Sequence, residues 1–334
     1  MKHKLFWVLL VVLGCGFLSL NVSTSLGSDL DILRKAIEDK GVKWTVGKTS
    51  VSDLSIEEMR KRCGVIFHKN YATREKGENV ALSLEAATTF FDWRDWNIVT
   101  PIKDQGNCGS CWAFATVGAF ESKLLISGVS VGNDLSEQLM VSCDTYNYGC
   151  GGGYMDYAYD FLYYTGTVEE NCFLYKARNL SCNSSNKCLD WRQKLIKIGG
   201  WDWVSNNENS IKNALVKYGP LPTTLHVYED FDSYTGGVYE RVSNILLGYH
   251  AVIIVGWDDN PKVNDSIGKP CWICKNSWGT DWGESGYFRI VRGDSCNIGA
   301  LTACFYLNST PSSDEIINNY YITNKKSGCF LNAL

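Results

Sequence analysis

The stretch Gln105-Gly-Asn-Cys-Gly-Ser-Cys-Trp-Ala-Phe114 constrains this chain more than any other. It runs into apolar side chains at helical spacing, Phe114, Val117, Phe120, Leu124 and Leu125. The run stops at Gly128, a residue type suited to the left-handed position just past a helix end. The spacing predicts a helix that begins at Cys111. A thiol in the first turn lies among unpaired backbone N–H groups at the positive end of the helix dipole, which favours its thiolate. A thiolate is the form that attacks carbonyl carbon. The competing fate, a structural half-cystine, suits Cys108 better, because a nucleophile requires one of the two to stay free.

The remainder of the composition limits the classes open to such a nucleophile. With 45% hydrophobic and 13% aromatic residues among 334, the chain holds enough apolar surface for a real core, so bulk disorder is excluded. A net charge of -4 without a basic block argues against nucleic acid as a partner. Fourteen cysteines read as a disulfide framework from an oxidising compartment. Sequons at Asn179, Asn183, Asn264 and Asn308 agree with glycosylation in the secretory pathway.

At the N-terminus, Lys2-His-Lys4 precedes an apolar run from Leu5 to Leu20 and then Ser23-Thr-Ser25, the layout of a signal peptide spanning residues 1–27. Residues 28–87 are polar, with helical spacing in Leu30, Leu33 and Ile37 and again around Met59. From about 100 to 200 the patterns are mainly helical. From 201 to 307 they become short β-branched runs, Leu221–Tyr228, Ala251–Trp257, Cys271–Lys275 and Gly286–Val291, expected as strands of an antiparallel sheet. A helical half beside a sheet half leaves a cleft, a preferred ligand site. The tail, 308–334, is polar and is expected to be disordered.

Cys108-Gly-Ser-Cys-Trp112 resembles the local signature of the papain and cathepsin cysteine proteases. The resemblance runs at separated places from about Phe90 to Tyr306. It implies an α+β fold of two domains across residues 88–307, a helical left domain and an antiparallel sheet or barrel on the right, with the active-site cleft between them. Lys43-Trp-Thr-Val-Gly47 and Met59–Gly64 resemble the short prosegments of cathepsin B-like enzymes. On that likeness residues 28–87 are an intramolecular inhibitor that passes through the cleft, and Phe91-Asp-Trp-Arg94 begins the mature enzyme.

A thiolate nucleophile needs a base within hydrogen-bond reach, itself oriented by a third group. Of four histidines, His3 leaves with the signal and His68 with the prosegment. His226 lies where the family requires none. His250 opens Ala-Val-Ile-Ile-Val and falls within the separation of roughly 130–150 residues that the pattern calls for. Asn276, in Lys-Asn-Ser-Trp-Gly, is the orienting amide. It lies somewhat beyond that range, a surplus assigned to the polar loop Asp258–Pro270. Gln105 supplies a side-chain N–H for the oxyanion of the tetrahedral intermediate. Trp278 shields the imidazole from water in the family. The set implies acyl transfer with no cofactor and no metal. Cys271-x-x-Cys274 invites a zinc reading, but no second close pair accompanies it.

The resemblance also implies the disulfides Cys108–Cys150, Cys143–Cys182 and, by likeness to cathepsin C, Cys172–Cys188. It places Gly152, Gly153, Tyr154, Met155, Thr224 and Gly248 around the second substrate subsite, with Leu301 or Ala303 at its base. An apolar base favours a hydrophobic substrate residue. Carboxydipeptidase action is disfavoured because no histidine lies between Cys150 and Asp190, and the upstream segment is too short for the exclusion domain of cathepsin C. The reading is an endopeptidase made as a secretory zymogen, destined for a lysosome or vacuole or the exterior. Its implied partners are protein and peptide substrates and cystatin-like inhibitors, with no membrane after signal cleavage and the enzyme a monomer. A peptide ligase or transpeptidase on the same scaffold and a catalytically silent binding relative are the alternatives.

Overall fold

The computed structural model describes residues 26–69, 82–129, 133–183, 185–263, 266–293 and 296–307. Most of the expected signal peptide, the sequons at Asn264 and Asn308, and the tail with Cys329 lie outside the described residues.

The chain opens with an arm of α1 (Leu26–Lys40), β1 (Trp44–Val46) and α2 (Ile56–Arg62). Helix α2 starts at a capping box: Ser55 Oγ accepts the Glu58 amide while the Glu58 carboxylate accepts the Ser55 amide. Strand β2 (Phe90–Asp92) follows, then the helices α3 (Cys111–Ile126), α4 (Glu137–Cys143) and α5 (Met155–Tyr164) of the helical half. Helix α3 is buried nearly all round. Even Thr116, Glu121 and Ser122 are covered, so it has no solvent face and serves as the central post of that half.

The second half contains β3 (Gly200–Trp203), α6 (Glu208–Tyr218), β4 (Leu221–Tyr228), β5 (Tyr234–Tyr239), β6 (Leu246–Asp258) and the short hairpin β7 (Lys262–Val263) and β8 (Ser266–Ile267). It ends with β9 (Cys271–Lys275), β10 (Tyr287–Val291) and β11 (Ala303–Tyr306). The main sheet runs β1-β5-β10-β9-β6-β2, with β4 also paired to β6. One expectation needs correcting here: β5 and β10 pair in parallel, so the sheet is not wholly antiparallel. A short loop cannot join a parallel pair, and the chain between β5 and β10 passes through β6 to β9 first. The arm enters this sheet through β1, on the edge of β5. The pairing is close: a Cβ on Gly237 would lie 2.6 Å from the Lys43 carbonyl oxygen.

Strand β6 explains how the halves meet. Its side chains alternate: Val252 and Ile254 join the core of the sheet half around Trp257, Trp278, Trp282 and Phe231. Ala251, Ile253 and Val255 join the core around α3 and α5. One strand therefore belongs to both cores, and it brings α3 against the residues that precede and follow His250. An ionic cluster also spans this seam. Lys103 Nζ lies 2.9 Å from Glu121, 2.7 Å from Asp134 and 2.8 Å from Glu137. Lys275 Nζ donates to Thr100 Oγ1 at 2.9 Å, which donates to Glu121 at 2.5 Å.

All three implied disulfides are present: Cys108–Cys150, Cys143–Cys182 and Cys172–Cys188. Each closes a loop within the helical half and so removes chain entropy from the unfolded state. Cys271 and Cys274 carry free thiols that belong to different apolar clusters, so they do not converge as a ligand pair.

Candidate active site

Cys111 is the first residue of α3, and its side chain is fully buried. His250 lies within β6 rather than opening it, since pairing with β4 begins at Leu246 and sets Leu225 opposite His250. Asn276 directly follows β9, which is hydrogen-bonded to β6 and so holds the amide beside the imidazole. Asn276 Oδ1 and His250 Nε2 are 2.8 Å apart. The Trp278 ring packs 4.8 Å from the imidazole and is itself closed off from solvent.

Gln105 is fully buried, and its amide is fixed from both ends. Its Oε1 accepts the Ser277 hydroxyl at 2.7 Å, and its Nε2 donates to the Cys108 carbonyl at 2.8 Å. Ser277 was not singled out in the sequence. Its adjacency to Asn276 was the only available signal. Together Asn276 and Ser277 orient two different partners from one turn of chain.

The cleft is occupied by the chain's own arm. Beyond α2 the backbone runs extended between Tyr249 and Gly153, parallel to both. Gly153 N donates to the Gly64 carbonyl at 2.8 Å and Ile66 N donates to the Gly153 carbonyl at 2.9 Å. Gly64 N points at Cys111 Sγ from 3.3 Å. Gln105 Nε2 donates to the Arg62 carbonyl at 3.0 Å, and His250 Nδ1 is 3.3 Å from the same oxygen. Only glycine passes here: a Cβ on Gly64 would fall 1.9 Å from the Gly109 carbonyl oxygen. The thiol therefore faces an N–H donor, while the carbonyl at Gln105 belongs to a residue two positions earlier.

Coverage by the arm works against the expected charge state. Burial pushes the Cys111 thiol up to about 11, against the backbone N–H groups of Ala251, Gly64 and Trp112 that favour the thiolate. Burial likewise pulls His250 down to about 4, opposed by its bonds to Asn276 and to the Arg62 carbonyl. Under the arm, the desolvation cost of a charge thus works against the expected thiolate and opposes what a helix terminus returns.

The sequence-predicted subsite residues divide into four groups. Val65 is buried in the apolar cluster that includes Met155, Ala251 and Leu301. Gly152 lies under the Ile66 side chain, and Tyr154 stacks on His68. Thr224 is fully buried and donates to the Ala300 carbonyl, which makes it support for the wall rather than a surface. Gly248 meets Cys63, so it faces the segment before Gly64 and not Val65. Asn179 is exposed, although its side-chain oxygen accepts the Cys150 amide; Asn183 is exposed too. Among the described residues no cluster of histidine, cysteine or carboxylate side chains could hold a metal ion.

Comparison with known proteins agrees with this arrangement. Residues 87–306 match the signature of the papain family cysteine proteases. The chain is 35% identical over 294 residues to the viral cathepsin of Choristoneura fumiferana defective polyhedrosis virus, covering 86% of this chain and 82% of the relative. It is 38% identical over 226 residues to the cathepsin B-like CP1 of Giardia intestinalis, covering 65% and 73%. Among solved structures, digestive procathepsin L2 proteinase from Tenebrio molitor larval midgut superposes with a TM-score of 0.70 at 29% identity, over 84% of this chain and 91% of that one. With a cysteine at a helix start, a histidine on the strand shared by both cores, and this breadth of likeness, the chain belongs to the papain family: it has the α+β two-domain papain fold and is a cysteine-type peptidase.

Proposed function

We propose that the protein is a cysteine endopeptidase made as a zymogen, with Cys111 as nucleophile, His250 as base and acid, Asn276 as orienting group and Gln105 as oxyanion donor. The observation that carries this reading is the arm in the cleft. Its residues 62–67 lie on the very groups that the chemistry needs, Cys111, Gln105, His250 and Gly153. The solved procathepsins with which the chain superposes are proforms too, which supports reading residues 28–87 as a prosegment.

Once the arm leaves, water and an imidazolium restore the thiolate. The sulfur adds to a peptide carbonyl carbon, and Gln105 Nε2 with the Cys111 amide holds the oxyanion; one such donor lowers the barrier by about 3 kcal/mol. His250 gives its proton to the leaving amine as the C–N bond breaks. It then takes a proton from water, whose oxygen displaces the thiol and releases the acid. Asn276 keeps the ring aimed, and Trp278 keeps water off that hydrogen bond. Val65 in its apolar setting supports a hydrophobic residue in the second subsite. The signal layout and the disulfides support passage through the secretory pathway toward a lysosome or vacuole, or the exterior.

The test is to express the full chain, activate it in acid and profile cleavage of a peptide library against Cys111→Ala. Internal cleavage with a hydrophobic residue second before the scissile bond, lost in Cys111→Ala, is the expected result. Spliced products would shift the reading to ligation. Absence of hydrolysis in both proteins would indicate a silent relative.

A further inference from the structure

His68 marks a place on the cleft rim that the catalytic groups do not use. Its imidazole stacks on the Tyr154 ring at 4.2 Å, meets the edge of Tyr157 at 5.3 Å and hydrogen-bonds Asp156 Oδ1 through Nε2 at 3.0 Å. Tyr154 and Tyr157 are themselves perpendicular, 5.3 Å apart, so the two rings and the carboxylate form a three-sided seat. The seat is built on the start of α5, continuous with the Gly152-Gly153 segment that pairs with the arm.

Its position along the cleft follows from the arm. Gly64 lies at the sulfur, Val65 in the apolar cluster, and His68 farther out on the same side. A substrate chain running on that side would reach the seat with a residue beyond its second. Aromatic faces next to a carboxylate attract a cation and disfavour an anion.

We propose that the Tyr154–Asp156–Tyr157 seat is a cation-selecting subsite of the enzyme. It would take a lysine, arginine or histidine side chain at the third or fourth residue before the scissile bond, with His68 acting as the zymogen's occupant. The proposal rests on the endopeptidase reading for its substrate, and on the seated His68 for its chemistry.

Two readouts on the full-length protein test it. After acid processing, peptides with a hydrophobic second-subsite residue are compared with lysine, arginine, glutamine or glutamate at the third and fourth positions. A basic residue at one of the two raises kcat/KM about tenfold over glutamate, and Asp156→Asn reduces that ratio to about twofold. Equal rates for lysine and glutamate in the wild type, or a ratio unchanged in Asp156→Asn, would overturn the proposal.

The second readout needs no hydrolysis. In the unprocessed chain, alkylation of Cys111 by iodoacetamide, mapped by mass spectrometry, reports how well the arm is seated. His68→Lys keeps Cys111 protected, His68→Glu speeds labelling about tenfold, and adding Asp156→Lys to His68→Glu restores protection. That pattern in a protein that cleaves nothing would leave the seat standing and remove the protease reading. Labelling indifferent to charge at 68 would remove the seat alone.

Discussion

The carbonyl oxygen of Arg62 lies 3.0 Å from Gln105 Nε2, at the place proposed for the oxygen of a reacting substrate. The amide is not shaped by the arm. Ser277 and the Cys108 carbonyl fix it independently, so the donor is preorganised for whichever carbonyl enters.

Removing that donor by Gln105→Ala lowers kcat by about 10²- to 10³-fold in the processed enzyme. Steady-state kinetics on a fluorogenic peptide checks this. A change confined to KM would show that Gln105 binds substrate without stabilising the transition state.

The Gly64→Ala substitution weakens closure. The added methyl meets the Gly109 carbonyl, and relieving such overpacking costs about 1–3 kcal/mol, roughly five- to hundredfold in arm affinity. Autoactivation at a fixed acidic pH is correspondingly faster. An activation half-time equal to that of the wild type would sink the argument.

Acid itself loosens the arm through His250. The ring is held down to about 4 under the arm, against an ordinary value of 6.5, because burial penalises its charge. A depressed value in the closed form means the contribution to closure is complete above about 6.5 and is lost as pH falls toward about 4. The dissociation constant of the separately added arm, residues 26–69, measured on a mature chain carrying Cys111→Ala so that no thiolate shares the proton, rises on the order of a hundredfold across that window. A constant that stays flat or falls would refute it.

The Cys172–Cys188 bridge closes a loop of sequence separation 16, for which chain entropy alone gives about 3 kcal/mol. Replacing both cysteines by alanine lowers the unfolding free energy of the whole chain by that amount, read from the shift of its urea denaturation midpoint. The catalytic rate of the survivors gives the control, since neither sulfur approaches the cleft groups described above.

Cys111 at a helix start, Gln105, His250 by elimination and Asn276 were legible because each is carried by a local motif or a count, and the three cysteine pairs only through the family resemblance. The β5–β10 pairing was not, because parallel partners distant in sequence leave no turn between them to read. Strand β6 was read short, since Leu246 to Tyr249 lack the continuous apolar run that marks its buried end. The burial of Cys111 was not legible either: the helix terminus is a local fact, whereas its cover depends on Gly64, Val65 and their neighbours arriving from far upstream. Asp156 carries no signal of its own in the sequence, and only the presence of His68 beside it gives it meaning.

The stretch lying over the sulfur gives it an amide hydrogen, while the carbonyl held at the Gln105 amide belongs to the residue two positions earlier. While this plug stays put, the very contacts an incoming chain would need are taken. Work on any other chain then waits on how often the plug lifts and not only on how fast the blade can cut.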